Sequence, residues 1–194
     1  MNADDRITFR PMTEADLALF ESWLHRPHFA RWFLPDSTIE AELESNRAAI
    51  TGADPTHVLI VRVGDRDVGW AQYYRWADYP KEAANYDAGP AELGIDYGIG
   101  EPDLIGIGVG TRLIAALVAL LTELRPGAAI LVGPSVANVA SCRVLEKNGF
   151  ELVDVRDMPG EPNASPLALY RLVATQPSTN VSVRSRSSGT PGPR

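Results

Sequence analysis

Residues 93–124 read LGIDYGIGEPDLIGIGVGTRLIAALVALLTEL, from Leu93 to Leu124, and this stretch decides the fold. It holds three pieces in order: a β-strand, Leu93–Ile99, carrying one acid, Asp96; a glycine-rich turn; and an apolar helix, Thr111–Leu124. Gly106, Gly108 and Gly110 alternate with Ile107 and Val109, and Thr111 opens the helix. Glycine at alternate positions permits a tight turn and leaves no Cβ between backbone and ligand. The first amides of a helix have no intrahelical partners, and the helix dipole adds positive potential there. Together these features predict a cradle for phosphate or pyrophosphate, with the chemistry beside it on the strand of Asp96.

Outward from that stretch, hydrophobic periodicity divides the chain into alternating elements. Arg6–Arg10 is a short strand, and Thr13 with Asp16 resembles a capping box opening a helix with Leu17, Phe20, Trp23 and Leu24 on one face. Pro27 is expected to end that helix, and Asp36–Ser37 to cap a second one reaching about Ile50. Val58–Val63 and Asp67–Trp76 form a hairpin across Gly64-Asp65, and residues 77–91, with Pro80, Gly89 and Pro90, read as a loop. The helix at 111–124 should bury Leu113, Leu117, Leu120 and Leu124 and stop at Pro126-Gly127. Then come a buried strand, Ala129–Val132, a helix from Asn138 to Asn148-Gly149, and strands Phe150–Val155 and Leu167–Leu172. The expectation is one α/β domain over residues 1–175, a mixed sheet with helices on both sides.

Composition sets bounds on partners. A chain of 194 residues suits one domain with a real core. Its single cysteine, Cys142, excludes an internal disulfide framework and suits a reducing cytoplasm. The N-terminal MNADDRITFR has two acids before its first arginine and no apolar run, so no signal peptide is expected. The longest apolar run, Leu113 to Leu121, is far shorter than the roughly 20 residues of a membrane span. A cytoplasmic protein, monomer or homodimer, is expected. The net charge is −7, and residues 176–194 hold three arginines and no acid, so the body carries about −10. Such a body repels nucleic acid and favours cationic ligands. The Ser-, Gly-, Pro- and Arg-rich tail, 176–194, has almost nothing to bury and is expected to be disordered. His25, His28 and His57 are scattered, without metal-like pairing to Cys142 or the acids, so no metal is expected.

The glycine turn can be typed. No lysine follows its last glycine, so it is not a Walker A loop, and no ribose-binding acid lies about twenty residues on, as a dinucleotide fold would require. Further along, Asn138 to Phe150 spell NVASCRVLEKNGF. With Ile99-Gly100-Glu101-Pro102 and the turn Gly106–Thr111, this pattern resembles the GNAT acetyltransferase superfamily over residues 6–173. The family's turn is Arg or Gln, two residues, Gly, any residue, then Gly or Ala; here Gly108-Val109-Gly110 fits and Ile105 replaces the Arg or Gln. The resemblance implies an α/β (α+β) fold: a central mixed, mostly antiparallel twisted sheet flanked by helices, splayed at an acetyl-CoA site. It implies that Gly106, Ile107, Gly108, Val109, Gly110 and Thr111 hold the pyrophosphate through backbone amides. Ile99 and Gly100 would bond the pantetheine and polarise the thioester carbonyl, and Asn138 and Ser141 would line the far side of the arm.

Within that superfamily, four short matches are similar to the aminoglycoside 6′-N-acetyltransferases: Met12 to Leu17, Trp32-Phe33, Gly69-Trp70-Ala71-Gln72 and Gly94-Ile95-Asp96. The residues agree in sign. Asp78, Glu82, Asp87, Glu92 and Asp96 stand against only Lys81, with Tyr73, Tyr74, Trp76, Tyr79 and Tyr86 interleaved. A polycationic sugar needs carboxylates for its ammonium groups and aromatic faces for its rings. Trp32, Tyr74, Asp78, Asp87, Glu92 and Asp96 are the expected contacts of a cationic amine, with Trp32 either capping the cleft or serving the core.

An alkyl amine is protonated near neutral pH and attacks only as the neutral form, so Asp96 is expected either to take that proton or to orient the amine while water carries it. Two positions depart from the resemblance. Leu145 stands where many relatives carry a tyrosine proposed to protonate the leaving thiolate, and Gly133 where relatives often carry an aspartate. Leucine at 145 is also usual in acetyltransferases of protein N-termini. The alternatives are therefore an N-acetyltransferase of a protein N-terminus, polyamine or siderophore precursor, or a catalytically silent acetyl-CoA-binding module. A siderophore enzyme would be expected to carry His where Asp96 stands.

Overall fold

In the computed structural model, which describes residues 6–35, 37–157 and 166–173, the chain opens with strand β1, Ile7–Pro11. Asp16 closes the next turn by accepting from the Thr13 amide at 2.9 Å and hydroxyl at 2.8 Å, the capping box its spacing predicts. Helix α1, Leu17–Leu24, follows and buries Leu17, Phe20, Trp23 and Leu24. Pro27 does more than end α1. It occupies the first turn of a further helix, α2, Pro27–Phe33, where a missing amide hydrogen leaves no bond unmade. Arg26 before it is extended (φ −84°, ψ 126°), which separates the two helices. Helix α3, Ile39–Thr51, is capped by Thr38, whose hydroxyl accepts from the Ala41 amide at 3.1 Å, rather than by Asp36–Ser37. Asp36 itself lies outside the described residues, as does the tail 176–194.

Strands β2, His57–Val63, and β3, Arg66–Arg75, pair across Gly64-Asp65. The stretch 77–91, expected to be loop, contains helix α4, Pro80–Tyr86, again with proline in its first turn. Strand β4, Leu93–Ile99, leads through the glycine turn to helix α5, Val109–Leu124. This helix begins before Thr111 because Gly108, at φ 87°, takes the capping position. Its buried stripe is Val109, Leu113, Ile114, Leu117 and Leu121. Leu120 is only partly buried and Leu124 is 49% exposed, because those two positions rotate away from the sheet. Strand β5, Ile130–Val132, helix α6, Val139–Lys147, and strands β6, Glu151–Arg156, and β7, Leu167–Leu172, complete the chain.

The seven strands lie in the order β1-β2-β3-β4-β5-β7-β6, antiparallel except for the β4–β5 pair. Helices α1 to α3 cover one face, with Phe20, Trp23 and Phe29 clustered with Val58, Ile60 and Trp70. Helices α5 and α6 cover the other, where Leu113, Leu117 and Leu145 join Leu59, Val61 and Ile95. This is the mixed, mostly antiparallel α/β (α+β) architecture that the resemblance implies. No helix among the described residues is long and apolar enough to cross a membrane. The feature that builds the site is the β4–β5 junction. The two strands share a single register pair, Leu93 with Ile130, and then part.

Candidate active site

The parting of β4 from β5 exposes backbone. Gly100 donates its amide to the Val68 carbonyl at 2.9 Å, and Trp76 donates to Glu92 at 3.1 Å, so the even-numbered residues of β4 are those bonded to β3. The amides of Ile95, Tyr97 and Ile99 therefore point toward β5, which has turned away, while the Ile99 carbonyl lies 3.2 Å from His28 Nε2. Ile99 is thus placed as expected, but Gly100 is not. Its amide is committed to β3, and its carbonyl accepts from Arg26 Nη1 at 2.7 Å and from His28 Nε2 at 3.1 Å.

Side chains alternate along the same strand. The face toward α1–α3 presents Gly94, Asp96, Gly98 and, just past the strand, Gly100. A Cβ at 94, 98 or 100 would collide with the rings of Tyr74, Phe29 and Trp23 respectively. Those rings crowd in where glycine leaves room, and Asp96 becomes the one full side chain on this face of β4. Gln72, directly opposite in β3, donates from Nε2 to Asp96 Oδ2 at 2.8 Å. Enclosure by protein raises the pKa of Asp96, and the Gln72 bond only partly opposes that. Burial also raises Glu42 on α3, with a hydroxyl bond from Ser37 opposing it and the charge of Asp96 adding to it.

Asp96 borders a cleft of about 950 Å³ that follows the splay. Trp32 and Phe33 of α2 form one wall, so Trp32 faces the cleft rather than the core. Glu82, Asn85 and Tyr86 form another, spaced three and four apart on one face of α4. Glycine at 133 has a physical reason here: a Cβ would fall 2.7 Å from the Tyr86 ring. Four expected substrate contacts are engaged elsewhere. Tyr74 packs on Gly94 and borders, with Asp78, a separate pocket of about 320 Å³. Asp78 accepts from Arg75 Nε at 2.9 Å. Asp87 accepts from Arg156 Nη2 at 3.0 Å. Glu92 pairs with Arg171 Nε at 2.8 Å and accepts from the Gly89 amide at 2.6 Å. Each of these three carboxylates is met by an arginine, and Asp96 and Glu82 are the carboxylates that line the cleft.

At the other end of the cleft, Gly106 and Gly108 adopt φ of 78° and 87°, with nothing within 4 Å of a Cβ built on either. Their backbone stands open to a ligand. Gly110, Thr111 and Ile99 line the same wall, as do Asn138 and Ser141 of α6. Ile107 and Val109, expected in the turn's binding set, do not line the cleft: Ile107 is 64% exposed and Val109 is buried in the core. Arg143 and Lys147, one turn apart on α6, border the cleft as well. Sequence reasoning passed over them, although basic residues spaced by four after the Asn138 cap were a signal. An anion cradle, a channel edged by unpaired strand amides, and two cations fit a long ligand bearing phosphates.

Comparison with known proteins agrees with this geometry. Residues 12–158 match the acetyltransferase (GNAT) domain. The chain is 29% identical over 164 residues to aminoglycoside N(6′)-acetyltransferase type 1 of Klebsiella pneumoniae, covering 83% of this chain and 82% of that protein. It is 30% identical over 109 residues to N-hydroxyputrescine acetyltransferase of Acinetobacter baumannii, 56% of this chain and 50% of that one. Among solved structures, AAC(6′)-Ib in complex with ribostamycin and coenzyme A superposes with a TM-score of 0.71 at 26% identity, covering 87% of this chain and 94% of that chain. With the family's domain matched over residues 12–158 and the fold shared over most of both chains, this protein belongs to the GNAT acetyltransferases and is an acyltransferase.

Proposed function

We propose that the chain transfers the acetyl group of acetyl-CoA to an amine of an aminoglycoside, the 6′-amino group, and thereby confers resistance. The observation that carries the reading is Asp96, a carboxylate of raised pKa set among glycines and aromatic rings on the wall of the cleft. The similarity to enzymes named for aminoglycoside 6′-acetylation supports the substrate class.

The roles follow from placement. Acetyl-CoA supplies the acetyl group as a thioester. The amides around Gly108 and Gly110, with Arg143 and Lys147, hold its phosphates. The outward amides of Tyr97 and Ile99 bond the arm and the thioester carbonyl, while Asn138 and Ser141 close the far side. Asp96 and Glu82 attract the ammonium groups of the substrate, and Trp32 and Tyr86 cover its rings. Asp96 then holds the reacting amine in line and takes its proton; a raised pKa brings this carboxyl nearer the value a base needs at neutral pH. Gln72 keeps the carboxylate in orientation.

Thiol release measured with kanamycin, ribostamycin, an alanyl peptide and spermidine tests the proposal. Turnover on an aminoglycoside is expected, with the 6′-amide identified by NMR and a raised inhibitory concentration in an expressing strain. Turnover on peptides alone would end the reading. Turnover confined to spermidine would favour a polyamine substrate.

A further inference from the structure

Asp96 and Tyr97 are consecutive, about 3.8 Å apart at Cα, yet their side chains stand on opposite faces of the sheet. Asp96 faces the aromatic wall. Tyr97 faces α6, where its Oη lies 2.6 Å from Ser141 Oγ. Both residues border the cleft, on the strand that parts from β5. Leu145, one turn on from Ser141, is fully buried and carries no proton to give.

We propose that the Tyr97–Ser141 hydroxyl pair stabilises the departing sulfur, with Ser141 as the catalytic donor and Tyr97 as the residue that positions it. This rests on the reading of the cleft as the acetyl-CoA site. In the proposed pair the phenol is the donor to Ser141 Oγ, which leaves the serine's own hydrogen free to point at the sulfur. The ammonium form gives up its first proton to water before attack; as the neutral amine then forms its C–N bond, the C–S bond breaks and its electron pair stays on sulfur. The amine's proton goes to Asp96, and the sulfur leaves as a thiolate held by the Ser141 O–H, taking its proton from water on release. A thiol pKa of roughly 8.5 allows departure in that form. Burial keeps Tyr97 protonated well above neutral pH, which suits a donor, with the Ser141 bond only partly opposing it. Cys142 and Asp96 are the titratable groups whose charge bears on Tyr97, and burial raises both.

The test has an equilibrium arm that needs no turnover. Ultraviolet titration of the bound coenzyme A thiolate, against desulfo-coenzyme A as blank, should give a midpoint about one to two pH units lower in wild type than in Ser141→Ala or Tyr97→Phe, the worth of one hydrogen bond to a charged group. In the kinetic arm, both variants should lose about tenfold to a hundredfold in kcat while KM for acetyl-CoA stays within about twofold. Ser141→Thr, which keeps the hydroxyl, should recover most of the rate. Equal thiolate midpoints in wild type and both variants would overturn the proposal, as would a raised KM at unchanged kcat. If no aminoglycoside is acetylated but the midpoints differ as stated, the substrate reading fails and the hydroxyl pair stands.

Discussion

Gln72 and Asp96 face each other across the β3–β4 ladder, joined by one hydrogen bond of 2.8 Å from Nε2 to Oδ2. A neutral amide orients the carboxylate without supplying a compensating positive charge. Enclosure therefore wins over the bond, and the pKa of Asp96 rises above the ordinary 3.8.

Activity and stability should respond to Asp96 in opposite directions. Only the carboxylate accepts a proton, so kcat/KM should fall as pH drops through the raised pKa, placing the acid limb above pH 3.8. Asp96→Asn should remove about 10²- to 10⁴-fold of kcat. A raised folded-state pKa stabilises fully below the unfolded value, and the contribution is lost as pH rises through the folded one. At pH 7.5 the aspartate is thus a net cost to the fold. Asn keeps the acceptor for Gln72 and drops the charge, so it should raise Tm, by about 2–4 °C for each kcal/mol relieved. Paired thermal melts at pH 5 and 7.5 check this, and a lower Tm for the variant at pH 7.5 contradicts it.

Asp16 carries the reverse sign. The Arg10 hydrogen bonds, at 2.7 and 2.8 Å, outweigh its partial burial, and the Thr13 cap adds to them, bringing its pKa down to about 2. A depressed folded-state pKa gives stability that is present above the unfolded value and lost as pH falls through the folded one. Asp16→Ala should cost about 1–2 kcal/mol at pH 7 by urea unfolding, combining a lost cap with a lost ion pair. Asp16→Asn retains an acceptor for the cap and should lose less. The gap between wild type and Asp16→Asn should shrink between pH 4 and 2, and a gap that stays constant down to pH 2 rules the ion pair out as its source.

The strands and the glycine turn were legible because they rest on local chemistry. Spacing across the turn Gly64-Asp65 marked β2 and β3, and glycines at 106 and 108 sit where positive φ requires them. Proline misled twice, at Pro27 and Pro80, because the same ring that stops a helix also starts one, and only the path of the following residues decides which. That error hid α4, and with it the cleft-facing set Glu82, Asn85 and Tyr86. The acidic run was visible, but its partners were not. Arg156 and Arg171 lie 69 and 79 residues from Asp87 and Glu92, so neutralisation of those carboxylates is a property of the tertiary fold. The Tyr97–Ser141 contact, 44 residues apart, was hidden for the same reason.

Gly108 and Gly110 look equivalent in sequence and should respond differently to the same methyl group. Gly108 has φ 87° and open space around a built Cβ, so alanine there meets no protein atom but forces a left-handed backbone, about 1–2 kcal/mol. Its methyl would also stand in the turn's open mouth, where a phosphate must approach the amides. Gly110 lies inside the first turn of α5, and its Cβ would make ordinary contacts with Val144 at 3.5 Å and Ile99 at 3.7 Å. Alanine suits a helix better than glycine by about 0.5–1 kcal/mol. Gly108→Ala should therefore lower Tm and weaken coenzyme A binding by more than about tenfold, beyond the backbone strain alone. Gly110→Ala should melt at or above wild type and bind coenzyme A within a few-fold. Thermal melts paired with calorimetric titration separate the two. Wild-type affinity in Gly108→Ala would mean that the phosphate does not approach through this turn.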